Sequence, residues 1–171
     1  MPVWNPHLKQ QKALLEGVQR RATKLLPGMY DLSYKERLET MNLPTLEYRR
    51  YRGDMIEMYK ITHEHYDLEA VGNLLHLRTR DNPEDLQRRH HQFTVTREKC
   101  GKDVKKYFFK NRVAEQWNNL PPKVVTAPSL NSFKSRLDKL WRSTGIMFDT
   151  ELDLADITSR RNIIYRNVDE D

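Results

Sequence analysis

Proline and glycine punctuation limits what this chain can become more than any other feature. Pro27-Gly28, Pro44, Pro121-Pro122 and Pro128 cut it into stretches whose apolar residues recur every three or four positions. Proline drives the residue before it out of helical geometry, and glycine suits the turn beyond. What folds between such stops is a series of short amphipathic helices. The chain therefore reads as mainly α, a small helical domain of about five helices.

The first helix is expected over about residues 6–26, with Leu8, Leu15, Val18, Ala22 and Leu25 as its apolar stripe. Lys12, Gln19, Arg20 and Lys24 lie largely off that stripe. Ser33, with Glu36 three residues on, has the capping-box pattern and opens a short helix to about Met41. Thr45 caps the third and longest helix, to about His65. Tyr48, Tyr51, Met55, Met58 and Thr62 mark its inner face, and Tyr59 and Ile61 widen it. Gly53 inside it costs about 1 kcal/mol against alanine and signals close packing on a neighbour. "FFKNRVAEQWNNLPP" sets Phe109, Val113, Trp117 and Leu120 on one face, closed by the two prolines. Ser129 caps the last helix, where Leu130, Phe133, Leu137, Leu140 and Trp141 repeat the stripe.

Between these parts the pattern weakens. Residues 67–107 read as a polar loop joining the halves 6–66 and 108–143, together a helical body of residues 1–143. Within the loop, "QFTVTREKC" alternates in β-prone residue types and "DVKKYFF" could partner it, as one short β-hairpin near 92–108. Residues 144–171 read as a charged acidic tail, flexible or loosely docked.

The 171 residues suit one domain. Charged residues make up 32%, above the roughly 25% of an average soluble domain. The net charge is +6, unevenly spread. From Asp149 onward seven acidic residues face three basic ones, so residues 1–148 hold 27 basic against 17 acidic groups. A body this basic favours anionic partners, nucleic acid or an acidic membrane surface. Cys100 is the one cysteine, which excludes an intrachain disulfide. With no apolar core near the N-terminus and no bilayer-length apolar run, the expectation is an intracellular chain, nuclear or cytoplasmic, not secreted and without a membrane partner.

Catalytic patterns are missing from the sequence: no Gly-rich phosphate loop, nucleophile elbow, HExxH or kinase signature. His63, His65, His90, His91 and Cys100 lack the spacing of a zinc site, so neither metal nor cofactor is expected. The basic clusters carry more. They are Arg20, Arg21 and Lys24; Arg49, Arg50 and Arg52; Arg88 and Arg89 before His90 and His91; and Lys105 and Lys106 with Lys110. Tyr48, Tyr51 and Tyr107 interleave with them as base-stacking neighbours would. The competing explanation is a solvated helix face over a core built of the same tyrosines.

"LEGVQRRATKLLPGMYDLSYKERLETMNLPTLEYRRYRGDMIEMYKI" resembles the segment downstream of the polymerase core in non-LTR (LINE-type) retrotransposon reverse transcriptases, particularly jockey-like elements of animals. "FFKNRVAEQWNNLPPKVVTAPSLNSFKSRLDKLW" is similar to the closing segment of the same polyproteins, in the same order and spacing. Together the similarity spans Trp4 to Trp141. It implies a thumb-like helical region that holds RNA or DNA by the backbone, with little sequence specificity. The palm's paired aspartates do not occur here, so no catalytic residue carries over and no enzyme activity is expected from this chain. The resemblance also favours phosphate contact by Arg20, Arg21, Lys24, Arg49, Arg50 and Arg52. Met1 directly before the match and the acidic tail after it suggest a truncated element copy or a fragment put to another use. The alternatives are a protein-interaction or scaffold module with no nucleic-acid role, which needs a partner or self-association, and an untranslated fragment; a third reading has the chain contribute to polymerase activity only beside a separately encoded core.

Overall fold

The computed structural model describes residues 6–66, 91–96, 101, 107–143 and 145–150. Among them six α-helices form: α1 (Lys9–Lys24), α2 (Tyr34–Thr40), α3 (Leu46–Thr62), α4 (Phe109–Asn118), α5 (Pro122–Val125) and α6 (Leu130–Arg142). A short 3-10 turn follows at Ile146–Phe148. The mainly helical reading holds.

The helix ends follow from local chemistry. Leu26-Pro27-Gly28-Met29 is a tight turn closed by the Met29 amide donating to the Leu26 carbonyl at 3.1 Å, with Gly28 at φ +76°. Ser33 Oγ accepts from the Glu36 amide while the Glu36 carboxylate accepts from the Ser33 amide, completing the expected capping box. Those hydrogen bonds to Ser33 hold the Glu36 carboxyl below its ordinary value. Thr45 and Ser129 cap α3 and α6 through their hydroxyls, also as expected. Both α2 and α3 close with a residue in the left-handed region, Asn42 at φ 47° and Glu64 at φ 56°. In each, the next amide reaches back five residues, Leu43 to the Leu38 carbonyl and His65 to that of Lys60.

α3 is the central element, packed against α1, α4, α6 and the 3-10 turn. Its inner face buries Tyr48, Tyr51, Met55, Met58, Tyr59 and Thr62, as the periodicity predicts. From α4 come Val113 and Trp117, from α5 Val124 and Val125, and from α6 Phe133, Leu137, Leu140 and Trp141. Tyr51 stacks on Trp141 at 4.7 Å, Tyr48 meets the same indole edge-on, and Tyr59 stacks on Phe133 at 4.4 Å. Burial, reinforced by the nearby Asp138 charge, pushes the Tyr48 hydroxyl up to about 12. The buried Tyr59 hydroxyl donates to the Ala127 carbonyl at 2.7 Å, so it enters the core without losing a hydrogen bond.

Among the described residues, three ion pairs tie α3 to other helices. Glu47 holds Lys12 of α1 at 2.7 Å. Arg52 grips Asp138 of α6 through two nitrogens at 2.6 and 2.7 Å, and Asp54 takes a two-pronged grip from Arg112 of α4 at 2.8 and 3.1 Å. Asp54 is buried between Tyr51 and Met58, three and four residues away on the helix, as the one carboxylate among the buried residues of α3. A buried carboxylate is tolerable only with such compensation.

Several expectations need correction. The α1 stripe does not face the core, as developed below. A Cβ on Gly53 would meet nothing within 4 Å, so its hydrogen side chain serves no close approach. Pro121-Pro122 ends α4 but also starts α5, because proline at the first helical position lacks only an amide that would be unpaired anyway. The packed body also reaches past Ser143: Ile146 is buried, and the Thr45 amide donates to the Met147 carbonyl at 3.2 Å. Residues 151–171 of the expected tail lie outside the described residues.

Among the described residues no strand pair forms near 92–108, and residues 97–100 and 102–106 of the expected hairpin lie outside them. What is described of that stretch pairs with α4. The Asn118 carboxamide accepts from the Val95 amide at 2.8 Å and donates to the Val95 carbonyl at 2.9 Å, doing what a neighbouring strand would. The Trp117 indole N–H donates to the Phe93 carbonyl at 2.8 Å.

Two outcomes follow from these contacts. Gly53→Ala should stabilise the protein by about 1 kcal/mol, read as a higher urea midpoint with unchanged slope, because helix propensity improves with nothing displaced. His63 stacks between Tyr59 and Phe93, and burial, only partly offset by the Tyr59 carbonyl, lowers its pKa from the ordinary 6.5. The unfolded chain then takes up this proton more readily than the native one. The contribution of neutral His63 is complete above about pH 6.5 and is lost as pH falls through the folded-state value. Urea midpoints measured from pH 7.5 to 5 should fall, and His63→Gln should remove that part of the decline.

Candidate nucleic-acid interface

α1 is docked through its polar side. Gln19 and Thr23 are its buried residues, and Lys12 and Glu16 are half-buried. The Gln19 carboxamide donates to the Pro44 carbonyl at 3.0 Å. Glu16 accepts from the Leu46 amide at 3.0 Å, supplying a carboxylate to the N-terminus of α3, and from the Tyr34 hydroxyl at 2.6 Å. Burial, reinforced by that carboxylate, raises the Tyr34 hydroxyl well above its ordinary value.

Arg37 of α2 completes the joint. Its buried guanidinium donates to Thr23 Oγ1 at 3.2 Å, to the Leu32 carbonyl at 2.5 Å and to the Arg20 carbonyl at 3.3 Å. A cation on carbonyls near a helix C-terminus is favourable to the helix dipole. These donors and acceptors need polar partners from α1, which turns Gln19 and Thr23 inward and rotates the apolar stripe away.

The consequence is an inverted helix. Leu14 is 72% exposed, Val18 56% and Leu25 86%, with Leu8 and Ala22 also exposed; of the expected stripe only Leu15 is half-buried. Next to this apolar strip run Arg20, Arg21 and Lys24, all exposed. Among the described residues no carboxylate pairs with any of the three. The Arg20 guanidinium lies 4.9 Å from the Tyr34 ring centroid, and Lys24 Nζ lies 4.5 Å from that of the exposed Tyr30. Such ring contacts hold the cations in place without neutralising them. The Pro27-Gly28 turn folds Tyr30 back against Lys24, a contact that helical periodicity could not reveal.

The second arginine cluster disperses. Successive helix positions advance by about 100°, so "RRYR" radiates around α3. Arg49 is exposed, Arg50 is half-buried with Nε and Nη2 shielded and without a hydrogen-bond partner, and Arg52 is committed to Asp138. That hydrogen-bonded pairing raises the Arg52 pKa against its burial. Arg88, Arg89, Lys105 and Lys106 lie outside the described residues.

The aromatic neighbours change as well. Tyr48 and Tyr51 are core residues against Trp141 and cannot stack on a base, while Tyr107 stacks on His7 at 4.2 Å. His91 is buried edge-on to Trp117, with Nε2 3.0 Å from the Trp117 carbonyl. Among the described residues no three His, Cys, Asp or Glu side chains converge on a metal position, and no helix is long and apolar enough to cross a membrane.

No protein-family model matches the chain, and no curated protein or solved structure matches it. What bears on function is therefore the α1 ridge itself. Arg37→Met should cost about 2–3 kcal/mol, because two carbonyls and the Thr23 hydroxyl lose a charged donor in a buried joint. Hydrogen exchange should locate the loss, with α1 amides losing protection before those of α3 and α6.

Proposed function

We propose that this chain is a non-catalytic nucleic-acid-binding module that holds the sugar–phosphate backbone through α1, and that it descends from the post-palm region of a retrotransposon reverse transcriptase. The supporting observation is the placement of Arg20, Arg21 and Lys24 on the solvent side of one helix with no carboxylate partner among the described residues. Three unneutralised cations along about a turn of helix suit phosphate oxygens and carry no base-reading geometry. Arg49 is the exposed member of the second cluster, and Arg52 is committed to Asp138.

This reading requires steep salt dependence. With three to four phosphate contacts, the slope of log K against log salt on duplex DNA should be about −3. Reversing Arg20, Arg21, Lys24 and Arg49 together to glutamate should weaken binding at least about tenfold on every sequence tried and flatten that slope. Arg52→Gln should mainly lower stability. Fluorescence anisotropy with duplex, RNA–DNA hybrid and single-stranded ligands across a salt series measures the slope and the effect of the reversals, and urea midpoints measure the effect of Arg52→Gln. Binding indifferent both to salt and to the four reversals rules the reading out.

The exposed Leu14, Val18 and Leu25 favour a second reading, a protein-docking module whose partner is a polymerase core or another chain. A light-scattering mass well above 20.5 kDa without nucleic-acid binding would select it.

A further inference from the structure

Among the described residues Tyr30 is the most exposed of the large aromatic side chains, at 69%. Its position is nonetheless defined. The Pro27-Gly28 turn, with Gly28 at φ +76°, brings the ring back to the end of α1, where Lys24 Nζ lies 4.5 Å from its centroid. A cation on one face of a ring leaves the opposite face open, and no ring of the described residues pairs with Tyr30. Tyr34 is the contrast. It meets Arg20 at 4.9 Å and Arg37 at 5.6 Å and gives its hydroxyl to Glu16, so the fold itself uses it.

The outer side of α1 therefore offers two kinds of surface at once. Arg20, Arg21 and Lys24 ask for anions, while Tyr30, with Leu14, Val18 and Leu25, offers open apolar area. Lys24 belongs to both, as the last cation of the row and the one against the ring. An occupant that satisfies both surfaces needs anionic groups and apolar faces side by side. A duplex keeps its base faces stacked on one another, so it meets the cations and leaves the ring in water. A second copy of α1 brings five basic residues and only Glu16 to answer them, so two such helices repel. A single strand carries a phosphate and a free base face in every nucleotide.

We infer that the nucleic acid held on α1 is single-stranded, with phosphates on Arg20, Arg21 and Lys24 and one base stacked on the open face of Tyr30. The inference rests on the backbone-holding reading proposed above and names its ligand class. Stacking on a tyrosine is tolerant of base identity, so the site selects unpaired strands without selecting sequence.

The test is fluorescence anisotropy on the full chain with three labelled ligands of equal length: oligothymidylate, its duplex with oligoadenylate, and an abasic strand. Oligothymidylate should bind several-fold tighter than the duplex. Tyr30→Ala should weaken oligothymidylate binding about tenfold while changing duplex binding by less than about twofold. Tyr30→Phe should restore strand affinity, and the abasic strand should bind the unaltered chain no better than oligothymidylate binds Tyr30→Ala. The salt slope should stay the same in Tyr30→Ala, because a stacked ring releases no counterion. Tyr30 is exposed, so helical circular dichroism should not change in either variant. Strand binding no tighter than duplex binding overturns the inference, as does a loss in Tyr30→Ala that is equal for all three ligands. Salt-dependent binding of all three that ignores Tyr30 overturns it alone: the backbone reading stands, and the apolar strip is left to a protein partner. Absence of salt-dependent binding to every ligand overturns both.

Discussion

The structure depends on α3 being satisfied on several flanks at once. Its inner face is apolar and aromatic, and its rim carries Glu47, Arg52 and Asp54, each paired to a different helix. Apolar burial has no direction, so Tyr48, Tyr51, Met55 and Met58 alone would permit several helix arrangements. The charged pairs are directional. The two-pronged Asp54–Arg112 and Arg52–Asp138 contacts set how α4 and α6 lie against α3, and a misplaced helix would leave charge buried without a partner.

α1 is attached by different physics. Its contacts with α2 and α3 are hydrogen bonds and one ion pair, through Lys12, Glu16, Gln19 and Thr23. Each such bond contributes about 1 kcal/mol net, and its directionality fixes the geometry of the joint. That arrangement leaves α1 with its leucines and its arginines both turned outward. Among the described residues, that surface carries an apolar strip, Leu14, Val18 and Leu25, that the fold leaves exposed.

Much of the fold was legible in the sequence, for identifiable reasons. The Ser33–Glu36 box, the Thr45 and Ser129 caps and the Pro27-Gly28 turn depend on residues a few positions apart, and all are present. The inner faces of α3, α4 and α6 were readable because one dominant apolar period leaves one way to turn the helix. α1 was misread because its stripe is real but its docking is polar, and Arg37 in "YKERLET" looks like an ordinary surface residue. The candidate site was half legible. Arg20, Arg21 and Lys24 stay together because they share a helix face, whereas "RRYR" separates as soon as it becomes helical. Tyr48 and Tyr51 were plausible stacking partners in sequence and prove to be core.

By itself the sequence determined where the longer helices start and stop, which faces of α3, α4 and α6 are buried, and that the body is basic. These depend on short-range sterics, capping and periodicity, which neighbours in the chain settle among themselves. Only the tertiary structure decided which way α1 faces, which arginines are committed to carboxylates and which remain on the surface. Those outcomes depend on partners 14 to 86 residues away, such as Thr23 for Arg37 and Asp138 for Arg52. A local pattern carries no record of a partner that distant, because the requirement arises only when folding removes water from both groups.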